Sequence, residues 1–228
     1  MGPHIEAIVF DAYGTLFDVH SVVALCNRRF PGKGAEMSAL WRSKQLEYTW
    51  LLSLMGRYED FWRVTESALM FACRSLGLGC SAETRQELME SYLRLDVFPD
   101  VRPALHQFPQ YRLAILSNGS PAMLAAVVEN SGLKPLLTDV ISVDEVKIYK
   151  PSPRAYSLAS GHLRVPADAI AFVSSNFWDI AGAKSFGFRT CWVNRGSLCQ
   201  DELGVRPDIT ADSLPDIVTA LHESSMKR

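Results

Sequence analysis

The run Ile5-Glu6-Ala7-Ile8-Val9-Phe10, ending in Asp11-Ala12-Tyr13-Gly14-Thr15-Leu16, constrains this chain more than any other stretch. A short, nearly continuous apolar run reads as a strand buried on both faces, and such strands belong to parallel sheets covered by helices. The Asp11 carboxylate stands at the C-terminal end of that strand, with a glycine turn and the Thr15 hydroxyl directly after it. In an open parallel sheet this is where reactive groups collect, beside a crevice and next to exposed backbone N–H donors.

Further β-rich runs follow at Arg112–Ser117, 140–142, 169–174 and Arg189–Val193, spaced widely enough for helical crossovers. Between Val19 and Leu95 no comparable strand occurs. Residues 38–54 carry Leu40, Trp41, Tyr48, Leu51 and Leu52 among Arg42, Lys44, Gln45 and Glu47. Residues 58–76 and 82–93 have similar helical spacing, with Ser53 or Ser81 as a cap or turn residue. Gly77-Leu78-Gly79 and Phe98-Pro99-Asp100 punctuate the later part. The expected fold class is therefore α/β: a Rossmann-like core of residues 1–18 and 97–228, with a parallel sheet flanked by helices. A helical cap subdomain, 19–96, is inserted after the first strand, where it can close over the crevice.

Composition narrows the functional classes. With 228 residues, 48% hydrophobic and 21% charged, the chain can bury a sizeable core. A formal charge of −2 gives no electrostatic case for nucleic acid or an anionic membrane surface. No apolar stretch approaches the roughly 18 residues of a membrane span. Met1-Gly2-Pro3-His4 has no basic region followed by an apolar run, so no secretory signal is expected. The five cysteines (Cys26, Cys73, Cys80, Cys191, Cys199) form no C-x-x-C pair, which fits reduced thiols in a cytoplasmic protein.

Three further motifs end at strand–helix junctions. In Ser117-Asn118-Gly119 the hydroxyl and the amide can bind an anion; the same residues also make an ordinary turn before a helix capped by Ser120 with Pro121 first. In Lys147-Ile148-Tyr149-Lys150-Pro151-Ser152-Pro153, Lys150 is forced out of helical geometry by the following proline. It can reach a carboxylate and hold it ionised, or it can simply be solvated. Tyr156 falls in the next helical turn, either facing the crevice or packing in the core. The run Phe172 to Asp179 brings Ser174, Asn176 and Asp179 to the same rim.

Taken in order, the strings DAYGTLFDVH (11–20), WRSKQLEYTW (41–50), LMGRYEDFW (54–62), SNG (117–119), KIYKPSPRAY (147–156), FVSSNFWD (172–179) and FGF…CWVNR (186–195) resemble the L-2-haloacid dehalogenases of the haloacid dehalogenase superfamily. The likeness runs nearly end to end. It implies that Asp11 is the nucleophile, that Thr15 and Ser174 orient it, and that Lys150 keeps it ionised. Arg42 would accept the departing halide from the first cap helix, in company with Asn118 and with Phe177 and Trp178. Ser117 and the backbone amides of Ala12 and Tyr13 would hold the substrate carboxylate. Tyr156, Asn176 and Asp179 would complete the polar network and position or activate water, with Asp179 the leading candidate through Lys150 or Asn176. Tyr13, Leu46, Phe61 and Trp178 would wall the substrate side chain. Arg42 and Leu46, four residues apart, share a helix face; Arg42 could equally be exposed and paired with Glu47 or Glu36.

The superfamily's magnesium-dependent phosphatases carry a second aspartate at the position of Tyr13 and an acidic residue in the turn that is here Ser174-Ser175-Asn176. Magnesium wants hard, preferably charged oxygen ligands, and a halide leaves without a proton. The resemblance therefore implies no metal and no cofactor. It implies hydrolysis of short-chain L-2-haloalkanoic acids to D-2-hydroxyalkanoic acids through an aspartyl ester, with a magnesium-dependent phosphatase as the alternative. The implied partners are the 2-haloacid, the halide product and a second copy in a homodimer. Trp41, Tyr48, Trp50 and Leu51 are the candidate interface residues.

Overall fold

The computed structural model describes residues 4–226. Residues 1–3 and 227–228, which belong to the ends of the expected core and include most of the segment read for a secretory signal, lie outside the described residues. The chain runs β1 (Ala7–Phe10), β2 (Phe17–Asp18), α1 (Val23–Arg29), α2 (Gly34–Leu54), α3 (Phe61–Ser75), α4 (Ala82–Ser91) and β3 (Asp96–Val97). It continues through α5 (Val101–Leu105), β4 (Arg112–Ser117), α6 (Pro121–Ser131), β5 (Asp139–Ser142), α7 (Pro153–Leu163) and β6 (Ile170–Ser174). It ends with α8 (Phe177–Phe186), β7 (Arg189–Val193), β8 (Ile209–Ala211) and α9 (Leu214–Met226).

Six strands form a parallel sheet in the order β5-β4-β1-β6-β7-β8. The β1 and β6 side chains are buried throughout, as expected for strands covered on both faces. The order reverses at β1, which makes its C-terminal end the topological switch point of the sheet. Register does the rest. Phe10 lies opposite Ile115 of β4 and Val173 of β6, so Asp11, Ser117 and Ser174 leave the sheet at one rim.

A two-stranded antiparallel neck, Phe17↔Val97 and Asp18↔Asp96, joins the core to helices α1 to α4. The Phe98 amide also donates to the Leu16 carbonyl at 3.1 Å. The neck and β8 have no counterpart in the sequence reading, because strands of two or three residues carry no readable alternation; helix α9 has none either.

Helix α2 starts at Gly34, four residues before the expected position. Its start has no side-chain cap. A methyl group at Gly34 would overlap the Asn27 backbone, so close approach of α1 sets the boundary. Helix α3 starts at Phe61 because Asp60 caps it, accepting from the Trp62 and Arg63 amides at 2.9 and 3.2 Å. Ser81 caps α4, whereas Ser53 lies inside α2 and donates to the Thr49 carbonyl.

Of the expected interface residues, Trp41 needs correction, while Tyr48 and Trp50 are only half-buried. Trp41 is fully buried in the cap, its indole N–H donating to the Thr65 carbonyl at 2.8 Å and its ring 4.9 Å from Tyr92. Trp50 lies edge-on to Trp178 at 5.6 Å and Tyr48 edge-on to Phe71 at 6.3 Å. These amphipathic positions are used within the chain. Only Leu51 of the four is exposed, together with Leu54 and Met55. Among the described residues no helix is long and apolar enough to cross a membrane.

Candidate active site

Asp11 emerges from β1 at the switch point, only 6% exposed. Its two oxygens are dressed unequally. Oδ2 accepts from Asn176 Nδ2 at 2.7 Å, Thr15 Oγ1 at 3.1 Å and Ser174 Oγ at 3.4 Å. Oδ1 has one donor, Lys150 Nζ at 3.3 Å. Thr15 comes from the turn after β1, Ser174 from the end of β6 and Asn176 from the position just before α8.

Lys150 is 1% exposed and also donates to Asp179 Oδ2 at 2.9 Å. Its ammonium lies 4.9 Å from the centre of the Phe172 ring. Tyr156 Oη donates to Asp179 Oδ1 at 2.7 Å, so both Asp179 oxygens are engaged. A methyl at Gly182 of α8 would overlap the Tyr156 hydroxyl, which is why a small residue stands there. Burial pushes Asp179 up to about 6, opposed by the Lys150 ammonium and reinforced by the Asp11 charge. Burial, with the Asp179 charge, pushes Tyr156 well above its ordinary range, so it remains a donor. Taking one partner out of a buried ionic cluster typically costs about 3–5 kcal/mol, because the remaining charge is left uncompensated.

The cap approaches from the other side. Arg42, half-buried on α2, donates from Nη2 to the Tyr13 carbonyl at 3.3 Å and from Nη1 to Gln45 Oε1 at 2.7 Å. Gln45 is held in turn by donating to Thr65 Oγ1 at 2.7 Å. The expected alternative partners are taken: Lys44 pairs with Glu47 and Lys33 with Glu36, each at 2.7 Å. Among the described residues Arg42 makes no ion pair with a carboxylate. Tyr13 packs against Phe61 (5.7 Å) and Tyr92 (6.2 Å), and its buried hydroxyl has no hydrogen-bond partner among the described residues. Burial raises its pKa, so it stays neutral. Leu46 is half-buried one turn beyond Arg42.

The structure brings part of the sequence-derived set together. Asp11, Thr15, Lys150, Tyr156, Ser174, Asn176 and Asp179 form one connected network. Arg42 and Asn176 meet on the Tyr13 carbonyl, Asn176 donating to it at 3.1 Å. Asn118 Oδ1 accepts from the Lys150 amide at 3.0 Å, which leaves its NH₂ group available, and Ser117 Oγ accepts from the Gly119 amide. The Ala12 carbonyl is occupied by the amides of Thr15, Leu16 and Phe17. Phe177 packs edge-on to Trp192 at 5.1 Å. Trp178, against Trp50, keeps a buried indole N–H with no hydrogen-bond partner among the described residues. Gln45 was missed, although its place one turn from Arg42 was readable. Asp11 and Asp179 face each other across an ammonium, and no group of three or more His, Cys, Asp or Glu among the described residues is placed to hold a metal ion.

A buried carboxylate at the switch point of a parallel sheet, under a helical insertion, defines the class. A model of the haloacid dehalogenase-like hydrolases matches residues 5–187. The chain is 50% identical over 226 residues to a (S)-2-haloacid dehalogenase of Pseudomonas sp. (strain YL), covering 98% of this chain and 97% of that protein. It is 50% identical over 216 residues to haloacetate dehalogenase H-2 of Moraxella sp. (strain B), covering 94% and 96%. An L-2-haloacid dehalogenase structure from Xanthobacter autotrophicus, with chloropropionic acid covalently bound, superimposes with a TM-score of 0.91 at 38% identity, covering 96% and 98%. The chain belongs to the L-2-haloacid dehalogenase family of the haloacid dehalogenase-like hydrolases.

Proposed function

We propose that this protein hydrolyses short-chain L-2-haloalkanoic acids to D-2-hydroxyalkanoic acids through an ester on Asp11, without a metal. The observation that carries the reading is the unequal dress of the Asp11 oxygens. Among the described residues three donors hold Oδ2 and only Lys150 donates to Oδ1, so Oδ1 is the oxygen free to attack. Attack on C2 in line with the carbon–halogen bond forms the ester bond, and the bonding pair leaves with the halide. The single displacement at C2 inverts its configuration.

Arg42 stabilises the growing halide charge; a guanidinium cannot lose its proton and has no carboxylate to neutralise it here. The repulsion between two carboxylates, about 4 kcal/mol at 4 Å in an effective dielectric of 20, is offset by Lys150, Arg42 and backbone dipoles. Ser117, Asn118 and the Ala12 and Tyr13 amides receive the substrate carboxylate. Tyr13, Leu46, Phe61 and Trp178 surround the side chain.

Once the ester forms at Oδ1, Oδ2 is its carbonyl oxygen. Asn176, Thr15 and Ser174 are then in position as an oxyanion hole when water attacks Cγ. Asp179 is wholly buried behind Lys150, so Lys150 gives one of its ammonium protons to Asp179 as it takes one from the attacking water, and ends as an ammonium again. Loss of the Asp11 charge in the ester lowers the Asp179 pKa below its resting value of about 6, leaving it an ionised acceptor at neutral pH. Collapse breaks the Cγ–Oδ1 bond, the departing oxygen takes back the proton held by Asp179 through Lys150, and the second water proton is released as Asp11 returns to a carboxylate carrying the water oxygen. We divide the chain at the β2–β3 neck into a core (1–18, 97–228) and a cap (19–96). We place the protein in the cytoplasm, where its free cysteines stay reduced. We assign it a homodimer with Leu51, Leu54 and Met55 as the apolar contact.

The deciding experiment measures halide release from separate L- and D-2-chloropropionate samples in EDTA, beside a phosphatase assay in magnesium. Chloride from the L-enantiomer without metal is expected. Phosphate release that depends on magnesium, without chloride, would hand the site to the phosphatase alternative.

A further inference from the structure

The string Cys191-Trp192-Val193-Asn194-Arg195 supplies no group to the chemistry above, yet its last residue is built into a defined setting. The Arg195 guanidinium, about one-fifth exposed, clamps Asp100 with two bonds, Nε to Oδ2 at 3.2 Å and Nη2 to Oδ1 at 3.0 Å. It lies 4.2 Å from the centre of the Phe98 ring, and Asp100 is fixed further by the Leu214 amide at 3.0 Å. The third nitrogen, Nη1, donates to Ser175 Oγ at 3.1 Å. Ser175 sits between Ser174 and Asn176, which both donate to Asp11, and its own amide donates to Thr15 Oγ1 at 2.9 Å. Thr15 passes its proton bond to Asp11 Oδ2. Trp192 of the same string donates to the Ser175 carbonyl at 3.2 Å.

We propose that Arg195 is a positioning residue for the nucleophile: anchored on Asp100 and Phe98 beside the cap neck, it fixes Ser175 and thereby the turn that supplies two of the three donors to Asp11 Oδ2, Ser174 and Asn176, and holds the third, Thr15, through the Ser175 amide. The nucleophile's free oxygen is aimed only if the other is pinned, and small misplacements of a reacting atom are costly in rate. Bidentate clamping of Asp100 with a third bond to Ser175 needs a planar guanidinium. A lysine keeps the charge and loses the geometry. The proposal rests on the dehalogenase reading for its kinetic consequence and on the hydrogen bonds alone for its structural one.

The test compares wild type, Ser175→Ala, Arg195→Lys and the double variant. Rapid-quench single turnover of L-2-chloropropionate, read by mass spectrometry, gives the rate of ester formation. Carbon-13 NMR of the Asp11 carboxyl reports its surroundings in the absence of substrate. Each single variant should slow ester formation about tenfold with KM within about twofold, and should shift the Asp11 resonance. Ser175→Ala, a small change that keeps the backbone bond to Thr15, should melt as the wild type does and decides the matter if Arg195→Lys folds poorly. The double variant should be no slower than the slower single, because both changes cut one link. An unmoved Asp11 resonance in Ser175→Ala, wild-type ester formation, or multiplying losses in the double variant would overturn the proposal. A wild type that releases no chloride would sink the dehalogenase reading instead, leaving the NMR comparison to judge Arg195.

Discussion

The two sides of the site are built differently. On the core side, Asp11 takes four hydrogen bonds from residues whose places follow from strand ends and sheet register, and Lys150 and Asp179 are buried beneath it. On the cap side, Arg42 reaches the core through one long bond to a main-chain carbonyl and is otherwise held by its own helix. The cap is fastened elsewhere: at the β2–β3 neck, by Tyr58 Oη to Asp144 Oδ1 (2.8 Å), by Tyr149 Oη to the Glu59 carbonyl (2.5 Å) and by Ser53 Oγ accepting from the Tyr149 amide (3.1 Å). In the proposed mechanism, bond making falls to the side held by the denser hydrogen bonding and halide handling to the side joined by a narrow neck, where opening would release product.

That contrast is broken most severely at the nucleophile. Asp11→Asn should lower turnover by on the order of 10⁴-fold or more, with no ester adduct by mass spectrometry; retained turnover would remove Asp11 from its role. Asp179→Asn should slow ester hydrolysis by about 10²–10⁴-fold while ester formation changes far less, so the adduct accumulates. Slower formation alone would give Asp179 a different task.

Asp179 also sets two pH dependences of known sign. In the free protein its raised pKa means that the folded state holds a proton more tightly than the unfolded chain. Its contribution to stability is therefore greatest below about pH 4 and declines as pH rises to about 6, where the buried group ionises. Urea melts across that window should show a slope that Asp179→Asn removes. In the ester the Asp11 charge is gone, so the acid limb of hydrolysis should fall below about pH 6; a limb above it would separate Asp179 from the proton transfer.

Arg42→Ala should slow ester formation by about 10²-fold, more for chloro than for bromo substrates, because chloride leaves less readily and depends more on the cation. Equal losses for the two would point to substrate binding in place of halide departure. Tyr58→Phe is the mildest change. It removes one cap–core hydrogen bond, about 1 kcal/mol, and should lower the melting temperature slightly while leaving ester formation intact.

The rim of the site was legible because buried parallel strands read as apolar runs and their C-terminal ends mark the crevice. Asp11, Ser117 and Ser174 all follow from that rule. The lysine before Pro151 and the Ser120–Pro121 start of α6 were legible from backbone chemistry, and Ser120 does accept from the Met123 amide. The roles came from the ordered strings shared with the family. Trp41 shows the limit: an apolar residue on an amphipathic helix declares that it will be covered, not by what, and here its own cap covers it. The neck was invisible because two-residue strands have no period.

By itself, then, the sequence determined five of the sheet's six strands, the helical insertion and the residue types that meet at the rim, since these rest on local hydrophobic pattern and on turn chemistry. Only the tertiary structure decided which Asp11 oxygen is pinned and which is free, that Asp179 stands behind Lys150, and that Arg195 joins Asp100 to Ser175. Those are choices of hydrogen-bond direction between residues as far as 165 positions apart, fixed by strand register and by the burial that leaves each polar group one place to go.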